Sequence, residues 1–427
     1  MIRQVASVIC AAAAMAGAIA TSATAAPEPT PEPLTESLPP GVVGFEVEHE
    51  SLLAPDICLP DTTPASLDTL FFSEPASIIG ADYPRTLPLP SGEVLWTFQD
   101  AKMRLPNGGI RVLHNIGMVQ HANCFTLLRS GTTSNPRSWL FADQTTPMVT
   151  WHWPLDAAMG TDGNVYVYVA EMREIPLPEP DPDDPDAPPP GDGYLDFTVP
   201  VATRVARVNP ETWNVEWYGT AYDVSADLYG FSIESDAEWT YFFAQCHRQF
   251  GFDPYIFGVL AHDRSCSDRV TVARVPRGQL FEPYRYWNGL EWVLDKSQAV
   301  PIIDQSGRFA SPTQFLFRNN HWTAVTKLDD WWGDEIVVEQ ARRPTGPFDE
   351  IARFRAQPKC DVDCNTYFAS WADGQNDEVG DAPLTVSLSH NRWDGTATSF
   401  YRPTFFHIDA PPDIAASADR CVLGHCD

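Results

Sequence analysis

The sequence predicts an all-β fold, and three observations support this prediction. Amphipathic helical periodicity is nearly absent after residues 1–26. Apolar or aromatic runs instead follow turn residues, as Val165 to Ala170 follow Thr161-Asp162-Gly163-Asn164. Variants of this unit recur at intervals of roughly 60–80 residues, an interval that suits blades of about four strands. We therefore predict a single-domain, five-bladed β-propeller.

The clearest copy of the repeated unit runs from Trp151 to Met172. We interpret Trp151 to Pro154 as an aromatic-rich turn, after which the chain presents an acid, Asp156. Each copy places turn residues before a β-rich strand that stops at a polar or charged group. The other copies are at 91–101, 235–246, 319–328 and 383–393.

Two segments precede the predicted propeller. Residues 1–26 combine Arg3, an apolar run from Val5 to Ala20 and small residues at their end, a pattern typical of a cleaved signal peptide. We therefore expect an exported protein that is secreted, periplasmic or bound at the cell surface. Residues 27–41 are a Pro/Glu-rich linker. No later segment approaches the ~20 apolar residues of a transmembrane helix, so no membrane span is predicted.

Residues 42–408 form the predicted propeller domain. Residues 176–193 interrupt it with a Pro/Asp-rich stretch that cannot form a helix or an inner strand, so we interpret it as a surface insertion. Residues 409–427 are a Cys-bearing C-terminal tail. The blades are predicted to contain Leu70 to Asp100, Ile110 to Met172, Tyr229 to Gln245, Val270 to Thr326 and Glu335 to Arg392, with a last strand at Tyr401 to Ile408.

The cysteines predict disulfides. Nine are present, and removal of Cys10 with the leader leaves an even number, which in an exported chain favours disulfides over metal ligation. No CxxC pair indicates a zinc site. Eight cysteines allow about 105 pairings, so the connectivity stays open. The easiest local pairs are Cys246–Cys266, Cys360–Cys364 and Cys421–Cys426, which would leave Cys58 with Cys124.

The net charge of −29 argues against nucleic acid and anionic lipid as partners. It is compatible with neutral or cationic partners, or with a solvated acidic surface that has no partner at all. The oligomeric state is left open by the sequence. The chain also lacks a G-x-S-x-G elbow, a Gly-rich phosphate loop and an H-E-x-x-H motif. We therefore predict no cofactor and no metal, and carboxylates become the main catalytic candidates.

Three acids lie at predicted strand ends in the first two units: Asp82, Asp100 and Asp156. The inner strands of a propeller converge on a central funnel, so acids distant in sequence can face one another there. A carboxylate pair is what glycoside hydrolysis requires, because one group protonates the leaving oxygen while the other attacks or activates water. These three are the predicted catalytic residues. The alternative is that each caps its own turn.

Aromatic residues near these acids are the predicted substrate-binding groups. Tryptophans in turn-like positions can stack on the face of a sugar ring, although core packing is the alternative. His152 could bind a hydroxyl or orient Asp156, although a structural role is the alternative. The predicted stacking residues are Trp151, Trp153, Trp331 and Trp332. The histidines at 114, 121, 247, 262, 321 and 390 form no ligand pattern.

Five short elements carry a resemblance to a known family. They are Gly80-Ala81-Asp82, Trp96 to Asp100, Trp153 to Asp156, Arg342 to Phe348 and Val386 to Asn391. Their order resembles a family of exported bacterial five-bladed β-propeller proteins of formerly unknown function that includes endo-D-arabinanases. The resemblance covers roughly residues 70–408 and implies an arabinan-like polysaccharide as substrate. That family usually has Gly-Asp-Thr where this chain has Gln99-Asp100-Ala101.

Two functional hypotheses follow. The first is a secreted carbohydrate-active enzyme, an endo-acting glycoside hydrolase that cleaves a polysaccharide with a pair of Asp carboxylates in the funnel. The second is a non-catalytic propeller that binds glycan or protein at the cell surface. Because one fold hosts many functions, only the geometry of the acids can favour one of the two.

Overall fold

The computed structural model describes thirteen segments of the chain. They are residues 44–49, 51–53, 57–72, 78–141, 150–175, 197–223, 227–245, 269–304, 312–329, 333–356, 364–372, 384–392 and 400–408. The predicted signal peptide, linker, Pro/Asp-rich insertion and C-terminal tail lie outside these residues. In the described part, no helix is both long enough and apolar enough to cross a membrane.

Strands dominate the described residues, which confirms the all-β prediction. The single α-helix among them is α1 (Pro64–Leu67). The first fourteen strands are β1 (Gly44–His49), β2 (Leu52–Leu53), β3 (Ile57–Cys58), β4 (Ile78–Ala81), β5 (Arg85–Pro88), β6 (Val94–Phe98), β7 (Ala101–Arg104), β8 (Ile110–Leu113), β9 (Ile116–His121), β10 (Cys124–Gly131), β11 (Pro136–Arg137), β12 (Thr150–Met159), β13 (Val165–Ile175) and β14 (Phe197–Val208).

The remaining strands complete the described chain, together with 3₁₀ turns at Leu70–Phe72 and Lys296–Gln298. They are β15 (Val215–Thr220), β16 (Ser232–Ser235), β17 (Trp239–Gln245), β18 (Arg269–Pro276), β19 (Arg285–Trp287), β20 (Trp292–Val293), β21 (Ile303–Asp304), β22 (Gln314–Arg318), β23 (His321–Lys327), β24 (Glu335–Ala341), β25 (Asp349–Arg355), β26 (Cys364–Trp371), β27 (Leu384–Arg392) and β28 (Phe400–Ile408).

The described strands form five main antiparallel sheets and one small sheet. Sheet 1 has the order β11-β10-β9-β6-β5 with β2 and β3 attached to β10, and sheet 2 has the order β1-β15-β14-β13-β12. Sheet 3 is β16-β17-β18-β19-β20 with β21 attached to β18, sheet 4 is β22-β23-β24-β25, and sheet 5 is β26-β27-β28. The small sheet is β4-β7-β8. Central strands such as β6 (VLWTF) are buried throughout and apolar except for Thr97, as expected of strands covered on both faces.

Each main sheet has an edge strand that meets the edge strand of the next sheet. Strand β5 contacts β12, β12 contacts β16, β16 contacts β22, β22 contacts β26, and β26 contacts β5 again. The contacts therefore form a closed circuit of five strands, one from each main sheet. Strand β4 of the small sheet also contacts β28, the last strand of sheet 5.

Aromatic and aliphatic side chains fill the spaces between neighbouring sheets. Phe243 of sheet 3 stacks on Phe315 of sheet 4 with ring centroids 3.7 Å apart. Trp96 of sheet 1 packs edge-on against Phe405 of sheet 5 at 6.0 Å. Because aromatic rings remove large apolar areas from water, these contacts hold the sheets in the circuit.

The sheets divide the chain differently from the predicted blades. Strand β18, predicted to open the fourth blade, pairs with β17 in sheet 3. Strand β24, predicted to open the fifth, pairs with β23 in sheet 4. The prediction of a turn at Trp151 to Pro154 is also wrong, because these residues belong to β12. The turn signals mark hairpins within sheets, such as Thr161 to Asn164 between β12 and β13, and they do not by themselves distinguish such a hairpin from a connection between two sheets.

One disulfide connects Cys58 in β3 with Cys124 in β10, directly opposite each other in the sheet register. It confirms the prediction that the protein is disulfide-bonded. It also ties the segment before α1 to sheet 1. The other three predicted pairs involve side chains outside the described part of the chain.

Candidate active site

Two turns bring Asp82 and Asp100 together. Asp82 lies between β4 and β5, and Asp100 lies between β6 and β7. The N–H of Asp82 donates to the carbonyl of Asp100 at 3.1 Å, and the N–H of Gln99 donates to the carbonyl of Asp82 at 3.1 Å. The N–H of Asp100 also donates to Oδ1 of Asp82 at 2.9 Å. The backbone therefore fixes the two acids side by side.

The Asp82 carboxyl is buried and surrounded by donors. Its residue is 7% exposed, and the Tyr367 hydroxyl donates to Oδ2 at 2.7 Å. The Tyr401 hydroxyl donates to the same carboxyl. Burial, and then the charge of Asp100, raises the pKa of Asp82 to about 7, although the hydrogen bonds act in the opposite direction. Asp82 therefore exchanges its proton near neutral pH.

Asp100 keeps contact with solvent. Its side chain is 26% exposed. Oδ1 accepts a hydrogen bond from Trp153 Nε1 at 2.7 Å and lies 2.8 Å from His114 Nδ1. The Lys102 ammonium lies 4.5 Å from the centroid of the Tyr401 ring. Burial lowers the pKa of Lys102, while Asp82 and Asp100 raise it.

The pair combines a buried carboxyl with a pKa of about 7 and a partly exposed carboxyl. Glycoside cleavage needs this division of roles between two acids, and environments that differ in burial are the usual means of producing it. Asp82 also has a structural role, although not the predicted capping of its own turn, since its Oδ1 accepts from the N–H of Asp100 in the facing turn. A single residue can serve both purposes.

Asp156 lies at a different place in the circuit. It follows a register shift in β12 after Pro154 and is 4% exposed. Its carboxyl accepts from the N–H of Ala157 at 2.9 Å and from the N–H of Ile233 at 2.8 Å. Burial raises the pKa of Asp156 to about 7, against the opposing charge of Arg85 and these two hydrogen bonds. Within the described contacts, Asp156 joins sheet 2 to sheet 3.

Arg85 occupies the middle of the strand circuit. It is 1% exposed, and its Nε donates to the Leu155 carbonyl at 3.1 Å. Its Nη atoms donate to the Ser370 hydroxyl, the Tyr83 hydroxyl and, at 3.4 Å, the Phe231 carbonyl. One guanidinium in β5 thus bonds to β12, to β26 and to the residue before β16.

The predicted binding residues divide between two faces of β12. Trp153 is half-buried and donates to Asp100, so it belongs to the Asp82–Asp100 site. Trp151, two residues earlier on the same face, is 7% exposed and stacks on His114 with centroids 4.9 Å apart. Its Nε1 has no hydrogen-bond partner in the described structure. Trp331 and Trp332 lie outside the described residues.

His152 points to the opposite face of β12 from Trp153, because side chains alternate along a strand. Its ring stacks on Phe141 with centroids 4.3 Å apart and is 8% exposed. Burial lowers the pKa of His152 to about 4, so the ring is neutral at physiological pH. The structure therefore brings Asp82, Asp100 and Trp153 together and turns His152 to another face. Asp156 lies close enough to Tyr83 that, besides burial, it and Asp82 both raise the pKa of that tyrosine.

Sequence reasoning missed several groups at this site. His114, Lys102, Tyr367 and Tyr401 all contact or surround the two acids. No spacing pattern marks them, since Tyr367 is 285 residues from Asp82. A further acid, Glu234 in β16, follows the Ile233 N–H that binds Asp156 and is half-buried. In the part of the chain described, no three His, Cys, Asp or Glu side chains are placed to hold a metal ion.

Comparison with solved structures gives matches of different strength. A Bacteroides ovatus protein inferred to be a hydrolase matches with a TM-score of 0.56 and 14% identity, over 92% of this chain and 96% of that one. A GH43_1 enzyme from Xanthomonas citri in complex with xylose matches with a TM-score of 0.40 and 12% identity, over 78% and 88%. An exo-1,5-α-L-arabinanase from a bovine ruminal metagenomic library matches with a TM-score of 0.37 and 10% identity, over 78% and 94%.

Comparison by sequence gives one family. A search of curated proteins found no match. The model of a family described as "Domain of unknown function (DUF5005)" matches residues 67–178 and 202–410. The matched segments make up more than half of the chain and contain Asp82, Asp100 and Asp156. The chain therefore belongs to the DUF5005 family.

Proposed function

We propose that this protein is a secreted glycoside hydrolase whose catalytic pair is Asp82 and Asp100. One observation carries the proposal: a buried carboxyl with a pKa of about 7 lies directly beside an accessible carboxylate. Two adjacent acids in unlike environments can hold one proton between them at neutral pH. That is the protonation state in which a glycosidic bond can be cleaved.

The architecture in the proposal is a five-bladed propeller. Five main sheets, each contributing one edge strand to a closed circuit, support this number of blades. Asp82 precedes the circuit strand β5, and Trp153 lies on the circuit strand β12. The site therefore lies where the first two sheets approach the centre.

The reaction assigns one role to each acid. Asp82, in its protonated form, donates its proton to the glycosidic oxygen as the bond to the anomeric carbon breaks. Asp100 either attacks the anomeric carbon or removes a proton from the water that attacks it. If Asp100 has attacked, a water molecule next displaces it from the anomeric carbon and gives a proton to Asp82. If Asp100 has acted as the base, the proton that it took from water returns through solvent to Asp82. In both cases the net change is addition of one water molecule across the bond. The half-buried Trp153 beside Asp100 provides an aromatic wall for a sugar ring.

The proposed substrate is an arabinan-like polysaccharide cleaved within the chain, as the resemblance of the strand-end elements implies. The net charge of −29 favours a neutral glycan over a polyanionic one. Export through a signal peptide would bring the enzyme to cell-wall or environmental polysaccharides.

Polysaccharide cleavage tests the proposal directly. The mature protein would be incubated with a panel of bacterial and plant polysaccharides that includes arabinans, and released reducing ends would be measured. We expect cleavage that falls at least about 100-fold in Asp82→Asn and in Asp100→Asn, since removal of a general acid or base typically costs 10²–10⁴-fold. Asp349→Asn is the matched control, because this aspartate is exposed on β25.

A second candidate is a non-catalytic glycan-binding propeller. It is favoured by the three hydrogen bonds to the Asp82 carboxyl, from Tyr367, Tyr401 and the backbone of Asp100. A buried carboxyl with so many hydrogen-bond donors is typical of an acid with a structural role. Under this alternative, the protein would bind a polysaccharide in the panel but release no reducing ends. Asp100→Asn would then leave the affinity for that polysaccharide nearly unchanged.

A further inference from the structure

The carboxylate of Asp100 is held through one oxygen only. Oδ1 lies 2.7 Å from Trp153 Nε1 and 2.8 Å from His114 Nδ1. No hydrogen bond from the described residues reaches Oδ2. The side chain is also 26% exposed, so part of it meets solvent.

Both donors are fixed by contacts behind them. The His114 ring stacks on Trp151 at an interplanar angle of 27°, and its backbone N–H donates to the Ser138 hydroxyl at 3.1 Å. The Trp153 ring packs on the same Trp151 at 5.9 Å, nearly edge-on. Trp151 is 7% exposed and therefore supports both donors from the core. Donors whose rotamers are locked by packing can hold a carboxylate in one orientation.

We propose that His114 and Trp153 are positioning residues that clamp Oδ1 of Asp100 and leave Oδ2 as the oxygen that meets the substrate. The catalytic part of this inference rests on the proposed hydrolase function. His114 donates from Nδ1, so its imidazole carries a proton on that nitrogen. Trp153 donates from the indole N–H, which is a donor at every pH.

The clamp fixes the plane of the carboxylate. A free aspartate side chain rotates easily about its last torsion, because that torsion has broad energy wells. Two donors on one oxygen remove this freedom and direct the lone pairs of the other oxygen outward. Attack on an anomeric carbon, or on the proton of a water molecule, depends on such alignment, and a misplacement of about 1 Å can cost roughly 100-fold in rate.

Indole NMR tests the contact without any substrate. In ¹⁵N-labelled protein, the Trp153 Nε1–H signal is identified by its absence in Trp153→Phe. We expect Asp100→Asn to shift this signal, because the charged acceptor is replaced by an amide, and Asp349→Asn to leave it in place. An unmoved signal in Asp100→Asn would overturn the clamp whether or not the protein is an enzyme.

Kinetics with paired variants test the catalytic role. His114→Asn keeps an N–H close to the position of Nδ1, whereas His114→Leu has a similar size and no donor. We expect kcat on the cleaved polysaccharide to fall about 10- to 100-fold in His114→Leu and in Trp153→Phe, with KM nearly constant, and to recover largely in His114→Asn. Unchanged thermal midpoints would show that the fold is intact.

Three results would overturn this role. Wild-type kcat in His114→Leu and Trp153→Phe would show that the donors do not position Asp100. Equal losses in His114→Asn and His114→Leu would show that the ring packs and does not donate. Failure of the wild-type protein to cleave any polysaccharide would remove the proposed function and the catalytic role together, while the NMR result would still decide whether the clamp exists.

Discussion

At the scale of single residues, Asp82 and Asp100 show how position decides the chemistry of an aspartate. Their backbones are hydrogen-bonded to each other, yet one side chain is buried under two tyrosine hydroxyls and the other reaches solvent. Loss of hydration destabilises the charged form of a carboxyl, and a second negative charge nearby does the same. Both effects act on Asp82.

The pH dependence of activity follows from Asp82. With its pKa at about 7, Asp82 loses its proton as pH rises through that value, and the proposed mechanism then lacks its general acid. We expect kcat to decline on the alkaline side of about pH 7, which a pH–rate profile on the cleaved polysaccharide would measure. Asp349→Asn should give the same profile. Constant kcat from pH 6 to pH 9 would contradict the role of Asp82.

The free energy of unfolding should also depend on pH through Asp82, and the pKa of this residue fixes the direction of the change. The pKa of Asp82 is about 7 in the folded protein against 3.8 in the unfolded chain, so the folded state holds the proton more tightly. The free energy of unfolding therefore decreases from about pH 4 to about pH 7 through this group, by about 1.4 kcal/mol per pH unit at most.

Asp82→Asn does not titrate and should lack this decline. Urea unfolding at pH 4, 6 and 8 would measure the free energy of unfolding of the variant and of the wild-type protein. As pH rises, we expect the variant to become more stable relative to the wild-type protein. Asp156 also has a raised pKa, but it is present in both proteins, so its contribution to the pH dependence cancels in the comparison. If the free energies of unfolding of the two proteins changed with pH in parallel, a near-neutral pKa for Asp82 would be contradicted.

The sequence could identify Asp82 and Asp100, because acids at strand ends beside aromatic residues are a local pattern. It could not identify Tyr401, which reaches Asp82 only after a distant strand has packed, or His114, which lies fourteen residues from Asp100 but belongs to no recognisable motif. His152 shows the opposite case: it lies in an aromatic cluster of the sequence, but strand alternation turns it to the face that packs on Phe141.

At the scale of elements, β12 shows why an edge strand is easily mistaken for a turn. Its sequence contains Pro154, which cannot donate to a ladder and is therefore tolerated only at an edge or beside a bulge. Both conditions hold, because β12 is the edge of sheet 2 and its register shifts between Pro154 and Asp156. The same edge position lets Trp153 reach Asp100.

The approach of β4 to β28 gives a prediction at Gly80. A methyl group at this position would overlap the backbone carbonyl of Tyr401, whose hydroxyl donates to Asp82. We expect Gly80→Ala to destabilise the protein by about 1–3 kcal/mol and to lower polysaccharide cleavage, because the two strands must separate. Urea unfolding and reducing-end release would measure both effects.

Gly109→Ala is the matched control for Gly80→Ala. The nearest atom to its new methyl group would be the Asn107 side-chain oxygen at 3.1 Å, which can move away. We expect a change within about 0.5 kcal/mol, as for most surface substitutions. Equal stability of the two variants would show that β4 and β28 are not held as closely as the structure indicates.

At the scale of the whole molecule, Arg85 connects the main sheets near the centre of the circuit. Its guanidinium donates to groups in sheets 2 and 5 and to Phe231 before sheet 3. The same cation opposes the effect of burial on Asp156. A buried arginine is tolerated because its donors are occupied and an acid lies nearby.

Replacement of Arg85 should therefore destabilise the whole molecule. Arg85→Met would leave the carbonyls of Leu155 and Phe231 without this donor in the interior, and each unsatisfied group costs about 1–3 kcal/mol. We expect the free energy of unfolding to fall by at least about 3 kcal/mol, measured by urea unfolding. Arg104→Met, at an exposed position on β7, should change it by less than about 0.5 kcal/mol. Similar midpoints for both variants would contradict a central role for Arg85.

The all-β class was predictable because turn residues and β-rich runs alternate along the whole chain. The assignment of strands to sheets was not, since β18 and β24 were predicted to open new blades but each pairs with the strand before it as well as with the strand after it. Arg85 in particular gave no signal, because its sequence surroundings, Tyr83-Pro84-Arg85-Thr86, resemble an ordinary solvated turn. Its burial depends on strands from across the chain.

The hydroxyl of Tyr401 on Asp82 has a consequence for biosynthesis. A ribosome releases residue 82 long before residue 401, so the young polypeptide carries this aspartate fully hydrated and ordinary in its acidity. Only when β28 docks beside β4 does the carboxyl acquire its complete set of neighbours. A fragment that stops short of residue 400 would thus contain both acids of the pair without the strand that packs beside β4 and completes the surroundings of Asp82.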